Sequence, residues 1–227
     1  MSNIFFGKVT DTKDPLTLGR VKVSLLAFGD PPVELPWLRM ISPYATAAGG
    51  HIFFPEVGDE VVVLRGSGDD LAAMIVLGSV FNATNVPTFT NPEGTNLIKE
   101  IRTKAGNAIL FDDKAGEETV TIQTKDAKIK VVMTNKEETI TITGGKKLVV
   151  TSTDEVSIKS KKVTIEADGD ALTLKGKDVS LDASGAMTQK SADAMTIEGG
   201  DLTLKGNTAA VESSGALDLK GSTVNIG

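Results

Sequence analysis

From Val120 to Val224 apolar residues recur as pairs separated by one residue, crossing 104 residues in thirteen steps, a mean spacing of eight. The pairs include Val120/Ile122, Ile129/Val131, Ile140/Ile142, Leu148/Val150, Val156/Ile158, Val163/Ile165, Leu172/Leu174, Val179/Leu181, Leu202/Leu204 and Leu217/Leu219, with weaker members at Met187 and Ala209. In a strand, residues i and i+2 face the same side, so each unit reads as a short strand offering two side chains to a core. Polar corners follow, such as Gly144-Gly145, Asp168-Gly169-Asp170, Gly199-Gly200 and Gly206-Asn207. A strand that buries two side chains cannot offset its own ordering entropy, so the units must stack.

Two stackings fit this period. One chain could coil on itself with three strands, roughly twenty-four residues, per turn of a solenoid. Three identical chains could instead wind about a common axis, each supplying one side of a triangular prism. The prism uses the octad more naturally, because adjacent strands on a face then come from different chains and every pair points to one narrow core. Composition favours it too. All eight prolines lie at or before Pro92, all four arginines at or before Arg102 and all ten aromatics at or before Phe111; the remaining 116 residues hold none of these. An interior approached from three sides accommodates Val, Ile, Leu, Thr and Met but leaves little room for Phe or Trp. At about 4.8 Å per layer the octads predict a stiff rod of roughly 65 Å.

The segment NATNVPTFTNPEGTN, residues 82–96, reads as a linker from its Asn, Pro, Thr and Gly content. It divides the chain into residues 1–95, a barrel domain with its linker, and residues 96–227, a β-helical spike with a junction at 96–119 and octads at 120–227. In the first part GKVTD, RVKVSLL, WLRMIS, HIFFPEVGDEVVVLRGS and MIVLGSVFN carry strand patterns, separated by turn signals at DTKDP, FGDPP and SPYATAAGG. Five such strands in under ninety residues predict an OB-type barrel, a closed sheet that hides its edges. Asp14-Pro15 and Gly19 supply turn chemistry between the first two strands. Pro55 ahead of Val57-Gly58-Asp59 predicts a tight corner with Glu60 outward and Val61 and Val63 inward.

The residue inventory argues against much of catalytic chemistry. There is no cysteine, one histidine (His51) and a net charge of −6, which removes thiolate sites, paired-imidazole metal sites and a sequence-independent grip on phosphate. Residues 1–95 carry 10 acidic and 6 basic groups, unlike a nucleic-acid groove. MSNIFFGKVT has no signal-peptide pattern, and no apolar run approaches the eighteen or so residues of a membrane span. His51 reads as a loop residue, Gly66-Ser67-Gly68-Asp69 as a hairpin turn, Asp168-Gly169-Asp170 as a corner, and Phe111-Asp112-Asp113 with Glu117-Glu118 as a solvated acidic loop. Met133, Met187 and Met195 read as fillers of irregular gaps in the rod's core.

Six fragments resemble one family in order: GKVTDTKDPLTLGRVKV (7–23), WLR (37–39), GGHIFFPEVGDEVVV (49–63), GDDLAAMIVLGSVF (68–81), IRTKAGNAILFDD (101–113) and TLKGKDVSLDASG (173–185). They look like the central spike proteins of contractile injection systems: phage baseplate spikes, R-type pyocin spikes and valine-glycine repeat proteins of type VI secretion. The resemblance implies an all-β homotrimer, an N-terminal OB barrel followed by a triple-stranded intertwined β-helix. It implies that Gly7, Asp14, Pro15, Gly19, Arg20, Trp37, Pro55, Gly58, Asp59, Glu60 and Gly78 maintain the barrel. Ile101, Arg102, Thr103, Gly106, Asn107, Phe111, Asp112 and Asp113 form its passage into the helix.

The implied role is mechanical and non-enzymatic. The barrel joins a separate hub or tube-initiator protein, and Val224, Asn225, Ile226 and Gly227 dock a separate PAAR-type tip that enters the target envelope on firing. The expected route is synthesis in the cytoplasm without a signal peptide, then assembly into a phage-tail-like particle or virion baseplate. No histidine follows His51, so the His-bound iron tip of some phage spikes is not expected; no cofactor is expected beyond ions along the axis. Hub domains ahead of the barrel and a lysozyme-like insert are likewise not expected in this chain. The main rival is a trimeric β-helical receptor-binding fibre or adhesin. A polysaccharide-cleaving β-helix would need clustered carboxylates and aromatic platforms, which the octads lack.

Overall fold

A computed structural model describes residues 3–26, 31–66 and 70–225. The chain divides into two compact units, Met1–Val156 and Ser157–Gly227. Its elements are all β: β1 Ile4–Asp11, β2 Arg20–Leu25, β3 Val33–Glu34, β4 Leu38–Met40, β5 Ala45–Thr46, β6 Gly49–Gly50, β7 Glu60–Leu64, β8 Ile75–Ser79, then β9 Ile98–Arg102, β10 Ala108–Asp112, β11 Thr119–Gln123, β12 Lys130–Thr134 and β13 Thr139–Thr143. A 3-10 turn, Leu71–Ala73, is capped by the Asp70 side chain. Among the described residues no helix is long and apolar enough to cross a membrane.

Alternating Val residues close the first sheet into a barrel. Its order is β1-β7-β8-β4-β2-β3, and β1 also pairs with β2, so β1, β2, β4, β8 and β7 form a closed ring. The β4–β8 pair is parallel and the others antiparallel. This is the OB arrangement that the sequence predicts. Val9, Val21, Val23, Leu38, Val61, Val63 and Val76 are at most 1% exposed and, with Leu25, Leu35 and Met74, fill the interior. A bulge in β8, where Val62 faces Gly78 and Val63 faces Val76, leaves Leu77 as the extra residue and bends the strand around the barrel.

The predicted strand across residues 51–67 is shorter than expected. Only Glu60–Leu64 pairs; residues 51–59 are irregular because Pro55 carries no N–H and Gly58 takes a left-handed φ of 101° at the corner. Gly66 is exposed, while the rest of the expected turn at Ser67, Gly68 and Asp69 lies outside the described residues.

Residues 98–143 depart from the uniform octad. They form a five-stranded antiparallel meander in the order β13-β12-β11-β10-β9, so the first three octad pairs are paired within one chain. The register also reassigns one of them. Ile122 faces Val131 and Val120 faces Met133, which puts Val131 and Met133 on the shared face and leaves Ile129 before the strand. The cause is the turn between β11 and β12, which closes with Ala127 N–H on Thr124 O and Thr124 N–H on Ile129 O.

From Gly144 to Asn225 every residue is exposed and no strand is paired. A single-chain solenoid requires pairing between successive coils, and none forms among these residues. Local corners nevertheless exist. Ser160 Oγ donates to Lys162 O and accepts from its N–H, Ser213 does the same across Gly215 and Ala216, and Asp170 accepts from Ala171 N–H. Corner chemistry is therefore encoded locally, whereas strand pairing is not.

Gly7 marks where the barrel is tightest: a Cβ there would lie 2.3 Å from Val23 Cγ1 and 3.0 Å from Ser24 O. We expect Gly7→Ala to lower barrel stability by about 1–3 kcal/mol through overpacking. Urea unfolding followed by the fluorescence of Trp37, the chain's one tryptophan, reads the barrel alone.

Candidate assembly surface

Several barrel residues named from sequence lie at turns and packed corners. Asp14 opens the β1–β2 turn, with Pro15 next and Thr17 N–H bonded to Asp14 O. Its carboxylate accepts the backbone N–H groups of Leu16, Leu18 and Arg20 at 3.0, 2.9 and 3.3 Å, and two bonds from the Arg20 guanidinium at 3.0 and 2.7 Å. Arg20 first, and then these backbone donors against the cost of desolvation, hold this carboxyl well below the usual carboxylate range. Gly19 packs close to the ring of Phe54. Trp37 is half-buried with Lys22 Nζ 5.8 Å from its ring centre.

The corner at residues 55–60 has a role that sequence reasoning missed. Pro55 is buried, Asp59 N–H bonds Glu56 O, and Gly58 N–H bonds Val9 O. Asp59 then accepts Asn85 Nδ2 at 3.1 Å, and Glu60 accepts Asn82 Nδ2 at 2.8 Å. Asn82 in turn caps the N–H groups of Thr84 and Asn85. Glu56 also pairs with Lys104, at 3.2 Å, from the β9–β10 turn. The segment that composition marks as a linker thus begins as a clamp on the barrel. The two asparagines of Asn-Ala-Thr-Asn were its available signal.

The junction residues come together as the β9–β10 hairpin. Thr103 N–H bonds Asn107 O, Gly106 N–H bonds Thr103 O, and Asn107 Oδ1 accepts Lys125 N–H from the next turn. Gly106 has φ 96°, and a Cβ there would lie 2.9 Å from Lys125 Cβ, so only glycine serves. Arg102 bonds Glu100 and Gly106 O. Asp113 pairs with Lys99, and Asp112 caps Lys114 N–H. Glu117 pairs with Lys114 and Lys136, which offsets part of the charge of the acidic loop. His51 is exposed and stacks on Phe53 at 4.5 Å.

Above this hairpin the sheet presents two apolar ladders on one face, because directly opposed residues share a side. One runs Ile101, Ile109, Ile122, Val131, Ile142 across all five strands; its neighbour runs Lys99, Phe111, Val120, Met133, Ile140. On β11–β13 the opposite face is largely threonine: Thr119, Thr134 and Thr139 form one row, with Thr121 and Thr141 flanking Val132 in the next. The apolar face is exposed, with Phe111 at 40%, Ile122 at 48% and Ile140 at 69% exposure. A shallow groove of about 400 Å³ runs between Phe111, Val120, Met133 and Ile140. Beyond it, large apolar members of the octads stay exposed through Val224. Of the expected tip residues, Val224 and Asn225 are exposed, while Ile226 and Gly227 lie outside the described residues.

Residues 5–81 match the family described as the type VI secretion system/phage-baseplate injector OB domain. The chain is 34% identical over 90 residues, 37% of its length, to the actin cross-linking toxin VgrG1 of Vibrio cholerae, and covers 8% of that protein. It is 32% identical over 85 residues, 36% of its length, to the type VI secretion system spike proteins VgrG2a and VgrG2b of Pseudomonas aeruginosa, covering 10% and 8% of them. The chain thus spans a tenth or less of the length of these relatives, over a stretch about as long as the barrel.

Because the Asp14 carboxyl is depressed in the fold, its contribution is full above the unfolded carboxylate value, about 3.9, and is lost as pH falls from there toward the folded value. Asp14→Asn is therefore expected to lower the barrel's Tm at pH 7. Its deficit against the parent should narrow progressively between about pH 4 and pH 2, as followed by Trp37 fluorescence.

Proposed function

We propose that this chain, whose N-terminal barrel is an injector OB domain of the spike-protein family, is the non-enzymatic central spike of a contractile injection machine and works as a homotrimer. The observation that carries this reading is surface. The chain exposes 19524 Å², about twice the roughly 9,900 Å² of a compact monomer of its 23.8 kDa mass. The excess is concentrated where the octads are. An occupant must offer a stripe of the same spacing over the same length, and a second and third copy do so by construction. Charge permits it, since residues 144–227 hold 10 lysines against 12 acidic groups, so like copies repel only weakly.

In this reading each short strand finds on neighbouring chains the hydrogen-bond partners it lacks. The product is a narrow prism that cannot unravel one chain at a time, as a piercing rod under load requires. The clamp of Asp59 and Glu60 on Asn85 and Asn82, with the Glu56–Lys104 pair, carries force from barrel to meander. A hub protein at the barrel and a PAAR-type tip at the far end of the octads complete the reading, within a phage-tail-like particle or type VI apparatus.

Light scattering should return three times the chain mass, and an unheated detergent gel a band that collapses only on boiling. A monomer in solution overturns the spike, and a trimer that binds cell-surface receptors favours the fibre instead. Removing residues 222–227 should leave the trimer intact while abolishing capture of a tip protein.

A further inference from the structure

Octads of one pattern carry an ambiguity. Sliding one chain past its neighbours by a single unit still sets apolar pairs such as Val163/Ile165, Leu172/Leu174 and Val179/Leu181 against apolar pairs, and corners against corners. Register is strongly specified only where the pattern is not self-similar. The rod, taken as a homotrimer, therefore needs a reference point outside the regular repeat.

The meander supplies one. Its four pairings of five residues run without a register shift, so its exposed face is a fixed template. That face is also irregular in content. Phe111 is the last aromatic of the chain, stands 40% exposed, and has Lys99 and Val120 as its cross-strand neighbours, with Met133, 41% exposed, beyond Val120. A slipped copy would meet this ring with a β-branched side chain or a corner, leaving a gap or a clash.

We propose that the apolar face of β9–β13 is an interchain surface that sets the register of three copies, so that the octads beyond Thr143 zip up from a single start. The occupant is the same face of a second copy. Nothing in the described part of the chain covers it, and its i, i+2 columns have the spacing of the octads that follow in sequence, so one symmetric partner serves both.

The test uses the full chain. It contains no cysteine, so Ser213→Cys carries one spin label per chain, on a residue exposed in the chain. The otherwise unsubstituted labelled protein should give one narrow interlabel distance. Phe111→Asn with Met133→Asn should retain the trimer mass but split that distance into several, each octad of slip adding roughly 5 Å of axial offset. Phe111→Leu with Met133→Leu keeps the surface apolar while erasing its distinct shape, and should split it partially. Thr121→Asn with Thr141→Asn, on the reverse face, should leave it single. A single narrow distance in both Phe111 double variants overturns the proposal. So does a monomeric Asn variant whose Trp37 emission reports a folded barrel, because the face would then drive association itself. If the unsubstituted chain is monomeric, it is the trimer reading that fails.

Discussion

The rest of the structure depends on one shortage: an eight-residue unit contributes two apolar side chains, too few to order a strand against solvent. Ordering a backbone residue costs about 1–2 kcal/mol, whereas burying a Val, Ile or Leu side chain returns about 1.5–3 kcal/mol. Two such side chains against eight ordered residues leave a deficit that only cross-strand bonds and neighbouring units can offset. Within one chain, residues 144–225 find neither, and they remain exposed and unpaired.

The two ends of the chain resolve the same problem in opposite ways. The barrel satisfies itself. Ring closure leaves no edge, the interior is filled by branched residues from five strands, and Asp14 gathers three backbone donors and a guanidinium into one turn. The octads keep their polar corners but pair no strand among the described residues. Between them the meander is intermediate, fully bonded along its strands yet bare on its apolar face.

Much of the barrel was legible because its signals are local. Val21 and Val23 alternate into the core, Asp14-Pro15 makes a turn, and Pro55 through Asp59 makes a corner. The strand pattern read across residues 51–67 pairs only over Glu60–Leu64 among the described residues, because a proline and a left-handed glycine interrupt its first half. The clamp of Asn82 and Asn85 was illegible for a different reason: a side-chain amide shows no preference for a partner 22 or 26 residues away.

The octad spacing sets, from sequence alone, the expectation of short strands whose paired apolar residues need neighbouring units, since period and side-chain volume are local properties; among the described residues strands form only as far as Thr143. Tertiary structure alone decided that residues 98–143 close into hairpins, because turn geometry at Thr124–Ile129 overrides the eight-residue count. It also decided that Met133, and not Ile129, joins Val120 on the apolar face. Which face a residue joins follows from strand register, and register is a relation between strands that no single segment contains.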